Sequence, residues 1–312
     1  MKKQLHASRF TRWFNDQGWA KSMIAIPYLW LILFFLLPFI IVFAMSFAMR
    51  TPTSPPFGYL PDWPFAVTDN YRLLFSDSVY VRSYLISLRN AALATVLCLL
   101  IGYPMALGIA RANRSWRNVL LMLVILPFWT SFLLRVYAWI GLMGANSWFN
   151  KALTAIFNFA VPSEWALKSI PMMNSNFAVV LVLVYSYLPF MVLPLFANLE
   201  RLDSTLNEAA LDLGSRPWQV FRDVTLPLSM PGIIAGGLLV FIPASGELVI
   251  PSLVGSASDP MIGRVISDEF SAARHWPMAS TVAVALLFLL VVPLMAYNHF
   301  EAKAQSGAQR KP

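Results

Sequence analysis

Six apolar runs, each near the ~20 residues that a helix needs to cross a bilayer, restrict this chain more than any other feature. They lie at about Met23 to Met49, Ala91 to Ala110, Val119 to Met143, Phe177 to Leu199, Gly232 to Leu253 and Ala279 to Tyr297. With 58% hydrophobic and only 12% charged residues over 312 positions, there is too little polar side chain to cover a water-soluble globule. The expected fold is all-α: a polytopic membrane domain over residues 23–298 with six transmembrane helices, a cytoplasmic segment at 1–22 and a cytoplasmic tail at 299–312. The first run follows basic residues, as a signal peptide would, but it outlasts the ~7 to 15 apolar residues of a signal core and is expected to be a retained span. Pro38, Pro127, Pro189 and Pro243 fall inside the runs. Each removes a backbone donor, so kinks are expected there.

The charge pattern orients the chain. Its formal charge of +8 does not point to nucleic acid, because the basic residues are scattered between apolar runs instead of gathered on one soluble face. Cytoplasmic loops retain the excess of Lys and Arg, and with a cytoplasmic N-terminus the inside segments hold 14 of them against 7 outside. Both termini are therefore expected in the cytoplasm, with the Pro-rich stretch Pro52 to Pro64 on the opposite side. Phe10, Trp13 and Phe14, flanked by Arg9, Arg12 and Lys21, form either a short interfacial helix or a free basic tail. The single cysteine, Cys98, lies inside a run; it excludes an intrachain disulfide and reads as a small packing residue. No period of 20 to 50 residues and no inverted halves are visible, which argues against a self-contained secondary transporter.

One cytoplasmic loop, at about residues 202–227, is more than a connector. Thr205 and Glu208 have the spacing of a capping box, and Leu202, Leu206, Ala209 and Leu213 form one helical stripe. Gly214 suits the left-handed residue that closes a helix, while Ser215 and Pro217 suit the opening of a second short helix. A compact helix-turn-helix follows, with small Ala209, Ala210 and Gly214 allowing another surface to come close. It has the character of a docking element.

The order Glu208-Ala209-Ala210, three residues, Gly214, nine residues, Val224, one residue, Leu226-Pro227 resembles the EAA loop of ABC importer permeases, with Val where Ile is usual. That resemblance implies a type I ABC importer permease fold. It further implies that Glu208, Ala209, Ala210, Gly214, Leu226 and Pro227 couple the membrane helices to a separate ATP-binding subunit. The chain has no Gly-Lys dipeptide, hence no phosphate-cradling G-x-x-x-x-G-K-[ST] loop, so it carries no ATP cofactor of its own and any ATP is used by a partner.

A narrower likeness spans most of the chain. Ile26 to Trp30, Leu126 to Trp139, Pro243-Ala244-Ser245-Gly246-Glu247 and Met261-Ile262-Gly263 are similar to the first permease subunit of bacterial putrescine and spermidine importers. It implies residence in the bacterial inner membrane and partnership with two copies of the ATPase, a second homologous permease and an extracytoplasmic polyamine-binding protein. An ABC permease for another small solute, and a channel outside that class, are the alternatives.

Two charges inside the runs invite a mechanism. Glu247 and Arg135 are costly at membrane depth and so are functional candidates. Counted at ~1.5 Å per residue from the cytoplasmic ends of straight helices, they lie about 22 and 24 Å in, at one level. Either Glu247 offers its carboxylate to a passing ammonium group, or it forms an internal ion pair with Arg135. Trp129, Tyr137 and Trp139 near Arg135 are candidates for cation-attracting ring faces, or for ordinary aromatic packing. An enzyme is not expected: His6, His275 and His299 lie outside the runs with no H-E-x-x-H spacing, and no catalytic or metal site is assigned.

Overall fold

The structure, a computed structural model, describes residues 19–59, 69–160, 162 and 167–308. The N-terminal segment read as an interfacial helix or a free basic tail, part of the Pro-rich stretch at 60–64 and the end of the tail at 309–312 lie outside the described residues. The helices are α1 (Trp19–Leu31), α2 (Leu37–Met45), α3 (Asp69–Ser76), α4 (Ser78–Arg111), α5 (Arg114–Ile125), α6 (Phe132–Met143), α7 (Trp148–Ala160) and α8 (Asn176–Leu199). They continue as α9 (Ser204–Asp212), α10 (Pro217–Val220), α11 (Leu226–Leu228), α12 (Met230–Ser245), α13 (Val249–Val254), α14 (Ile262–Ser267) and α15 (Trp276–Ala308). A short antiparallel pair, β1 (Met49–Arg50) and β2 (Phe57–Gly58), sets Met49 opposite Gly58 and Arg50 opposite Phe57.

The chain divides into two compact units, residues 1–73 with 269–288, and residues 74–268 with 289–312. In the first, α1 and α2 join through a widened turn at Ile32–Leu36, just ahead of Pro38, whose missing N–H interrupts the regular ladder. Ile26 is 69% and Phe35 68% exposed, an apolar surface that water does not tolerate and that hydrocarbon or another membrane chain would cover. The far end of α2 is held by polar groups: the Asn70 amide donates to the carbonyls of Ser46 (3.1 Å) and Ala48 (2.9 Å), and the Thr281 hydroxyl donates to that of Ser46 (3.0 Å).

In the second unit α4, α8 and α12 pack against one another. Their shared core sets small Ala91, Ala94, Cys98 and Ala106 of α4 against Val182, Leu183, Met191 and Leu195 of α8, all fully buried. Small residues let helix backbones approach where lipid offers no hydrophobic drive. At Gly236 of α12 a Cβ would stand 2.8 Å from the sulfur of Met191, so the contact admits nothing larger. The α4 helix begins 13 residues before the run expected from hydropathy: Asp77 accepts the Val79 N–H as its N-cap, and Tyr80, Ser83, Ile86, Ser87 and Asn90 bury one face of the polar extension. An apolar-length criterion misses an amphipathic extension of this kind.

Three stretches are long and apolar enough to span: Ala25–Met45, Ser78–Arg111 and Asn176–Leu199. Two more qualify only as bent pairs, Arg114–Trp129 with Phe132–Met143 at 89° and Pro217–Leu228 with Met230–Ser245 at 62°, while Trp276–Val292 is a shorter apolar helical stretch. The run expected as one helix from Val119 to Met143 is thus broken. Pro127 cannot donate to the preceding turn, Leu126–Trp129 tightens to 3-10 geometry, and Thr130 and Ser131 are extended. Pro243 lies two residues before α12 ends at Ser245, whereas Pro189 and Pro194 sit inside an uninterrupted α8.

Candidate functional site

The loop after α8 folds as two helices, as its pattern predicts, but the cap differs. Asp203, not Thr205, is the N-cap of α9, its carboxylate accepting the Thr205 N–H at 3.0 Å. That bond, with a second from the Thr205 hydroxyl, holds Asp203 below the usual carboxylate pKa. Gly214 closes α9 at φ +88°, with the Ser215 N–H on the Ala210 carbonyl (3.1 Å) and the Gly214 N–H on that of Leu211 (2.9 Å), the double bond pattern of a Schellman motif. Pro217 opens α10, where the Gln219 side chain accepts the Arg216 N–H at 2.7 Å.

The stripe through this loop stays uncovered. Glu208, Ala209, Gly214 and Pro227 are exposed and Ala210 and Leu226 half-buried, while beside them Leu213 is 88% and Trp218 68% exposed. A small-residue surface edged by large apolar side chains and one carboxylate has the composition of an interface without its partner. Inward, the loop is fastened by residues that its sequence pattern did not single out. The Thr225 hydroxyl donates to the Asn207 side-chain oxygen (3.1 Å), Phe221 stands edge-on to buried Tyr103 of α4 with ring centroids 5.7 Å apart, and the Tyr103 and Ser229 hydroxyls lie 2.9 Å apart. These contacts tie the loop to α4 and to the start of α12.

The second cluster surrounds Glu247, in the turn between α12 and α13. One carboxylate oxygen accepts the Val249 N–H at 3.0 Å and the other accepts the hydroxyl of Tyr187 on α8. A Cβ on Gly263 would fall 2.5 Å from the Gly246 carbonyl and 2.6 Å from that of Glu247, so the Met261-Ile262-Gly263 segment backs directly onto this turn. The Ile262 N–H donates to the buried hydroxyl of Ser87 (2.7 Å), tying α14 to α4. Tyr187 and Ser87 are site residues that hydropathy conceals, since Tyr187 lies in a mostly apolar helix and Ser87 in the polar extension ahead of an apolar run.

Arg135 does not pair with Glu247. Its guanidinium carbon lies 5.2 Å from the ring centre of Phe128 and 5.7 Å from that of Phe132, and its Nε and Nη1 are buried without a hydrogen-bond partner among the described residues. The depth count that set the two charges level fails because the chain turns through 89° between α5 and α6. A file of rings runs between them instead: Phe128 stands edge-on to Phe190 at 5.2 Å, and Phe190 lies 5.9 Å from Tyr187, which holds Glu247. Trp129, at the end of the 3-10 turn, is 71% exposed; Tyr137 is also exposed, and Trp139 is half-buried edge-on to Tyr185 at 5.5 Å.

Residues 98–305 match the family described as "Binding-protein-dependent transport system inner membrane component". The spermidine/putrescine transport system permease protein PotB of Haemophilus influenzae is 39% identical over 278 residues, covering 89% of this chain and 92% of the relative. PotB of Escherichia coli K12 is 37% identical over 268 residues, 86% of this chain and 92% of the relative. The molybdenum transport system permease protein ModB of Mycobacterium bovis is 30% identical over 75% of this chain and 82% of its own length. Among solved structures, a bacterial alginate ABC transporter in complex with an alginate pentasaccharide-bound periplasmic protein superposes with a TM-score of 0.67 at 17% identity, over 95% of this chain and 98% of that chain; it shows the shared fold. The chain belongs to the family of inner membrane components of binding-protein-dependent transport systems, and is a transport subunit, not an enzyme.

Proposed function

We propose that the chain is the polyamine-translocating permease of an ATP-driven importer, carrying putrescine or spermidine delivered by an extracytoplasmic binding protein. The observation that carries the substrate class is the near full-length likeness to two spermidine/putrescine permeases, against a lower identity to the molybdenum permease. In this reading the three continuous spans, the bent pair Arg114–Trp129 with Phe132–Met143, the stretch from α12 through α13, and the apolar start of α15 make six crossings with both termini cytoplasmic, as the distribution of Lys and Arg favours. Glu208, Ala209, Ala210, Gly214, Leu226 and Pro227 meet one of two ATPase copies, and a second, similar permease completes the path.

Glu247 takes a substrate ammonium group. A polyamine sheds water on entering a bilayer-depth path, and its charge then needs carboxylates, carbonyls or ring faces in exchange. A carboxylate pinned by Tyr187 and the Val249 N–H is preorganised for that exchange, and the rings of Phe190 and Phe128 continue from it. Trp129, Tyr137, Trp139 and Arg135 form the rim beyond those rings. Uptake of labelled putrescine, spermidine and molybdate by proteoliposomes holding the assembled importer tests the assignment. Saturable, ATP-dependent uptake of a polyamine and none of molybdate is expected; the converse would refute it.

A further inference from the structure

The helix α7 is turned the wrong way round for water. Its polar side chains Asn150, Thr154 and Asn158 stand at i, i+4 and i+8, and this one stripe faces the rest of the chain. Asn150 and Thr154 are buried and Asn158 is half-buried, while Trp148 is 73%, Ile156 66% and Phe159 95% exposed, with Ala152 and Ala155 exposed beside them. A helix on the surface of a water-soluble domain does the reverse: it buries its apolar stripe and shows the polar one to solvent.

Hydrogen bonds fix that orientation. The Asn150 amide donates to the carbonyls of Met143 (3.1 Å) and Ile170 (2.9 Å), and its oxygen accepts the Ile170 N–H (3.1 Å) and the Thr154 hydroxyl (3.1 Å). Asn158 exchanges two bonds with the backbone of Leu167, donating to its carbonyl and accepting its N–H, both at 2.9 Å. Turning the apolar face inward would leave these buried donors and acceptors unpaired. The same bonds set the level of the helix. Met143 ends α6, the last part of one proposed crossing, and the Ser147 hydroxyl also donates to the Leu142 carbonyl there; Leu167 and Ile170 belong to the segment that leads into α8, the next crossing. The helix is thus fastened where two crossings meet the extracytoplasmic boundary of the bilayer.

We propose that α7 is an anchor lying in the plane of the membrane–water interface on the extracytoplasmic side, with Ala152, Ile156 and Phe159 among the acyl chains and Trp148 at headgroup level. Exposed Lys151 falls at the edge of the apolar arc, where its stem covers apolar surface and its ammonium group reaches lipid phosphate. A binding protein that docks and leaves needs polar groups to pair with and a surface that water tolerates between visits. The arc of α7 offers one polar side-chain group, the indole N–H of Trp148. A permanent protein partner would cover the arc constantly, but charged residues are depleted at the core of such interfaces, and Lys151 borders this one. Anchoring holds the ends of α6 and α8 at one depth. The inference rests on the six crossings proposed above; thiol labelling at Ser54 reports the side of the membrane and the depth of α7 reports the anchoring, so the two fail separately.

The test is spin-label depth measurement on the assembled importer in vesicles of phosphatidylethanolamine and phosphatidylglycerol, using Lys151→Cys, Ala152→Cys and Ile156→Cys singly in a Cys98→Ala background. Labels at 152 and 156 should collide with dissolved oxygen in preference to a water-soluble nickel chelate and report a depth of about 5–10 Å below the phosphates, with the label at 151 shallower. Ala152 is small and exposed, so its label disturbs no packing and decides the matter if Ile156→Cys fails to assemble. Preference for the nickel chelate at 152 and 156 would place the face in water and overturn the inference. So would weak collision with both reagents, which would assign the face to the second permease, and nickel access lost only on adding the binding protein, which would make it a docking surface.

Discussion

Gly214 is a direct probe of the proposed coupling step, because its requirement is conformational and not steric. It sits at φ +88°, and a Cβ built on it meets nothing within 4 Å. Substitution therefore adds no clash within the chain, only the left-handed penalty of a side-chain-bearing residue, about 1 to 2 kcal/mol. At 1.4 kcal/mol per factor of ten, that shifts the closed end of α9 toward fraying by about 5- to 30-fold. The bonds at risk are the two that close the helix, from Ser215 to Ala210 and from Gly214 to Leu211. Asn, which visits this region most readily after Gly, should cost least, Ala more, and β-branched Val most. Amide exchange at Leu213 to Ser215 should accelerate in the order Asn, Ala, Val, and substrate uptake per ATP hydrolysed should fall in the same order. The membrane core is remote from the change, so assembly should persist. Normal uptake by a well-expressed Gly214→Val importer would refute the reasoning, and equal defects in Asn, Ala and Val would show that bulk at a docked surface, not helix closure, is what matters.

Three further outcomes are expected. Glu247→Gln should lower polyamine transport without rescue by Arg135→Gln, since the two side chains do not pair, and Tyr187→Phe should impair transport less while leaving expression intact; restoration in the Glu247→Gln, Arg135→Gln double variant would instead reveal a hidden ion pair. The depressed pKa of Asp203 means that its cap stabilises α9 above the ordinary carboxylate range and is lost as pH falls through the folded-state pKa; acid should raise amide exchange in the first turn of α9, and Asp203→Asn, which keeps the acceptor without the titration, should flatten that dependence. In a Cys98→Ala background a cysteine at Ser54 should react with an impermeant thiol reagent from outside the cell and one at Ser215 should not; the reverse pattern would invert the assigned topology.

The features legible in the sequence are those set by local chemistry. Gly214 and Pro217 act through their own backbone, so the end of α9 and the start of α10 follow from residue identity and spacing. The N-cap was misplaced by two residues because Asp203 and Thr205 are both good caps, and only the fold decides which one stands outside the first turn. Hydropathy gave the length of α8 closely but hid the break at Thr130 and Ser131, since a helix that turns remains as apolar as one that does not. The partner of Glu247 depended on that break. Along a straight helix Arg135 would reach the level of the carboxylate; beyond a turn of 89° it points its charge into a different groove, and Tyr187, invisible to any count of charges, takes its place. A carboxylate paired with an arginine has less attraction left for an ammonium group than one held only by a hydroxyl and a backbone N–H, which is the basis of the reading proposed for Glu247. The turn at Pro127 thus separates the two charges, which a straight helix would have brought to one level.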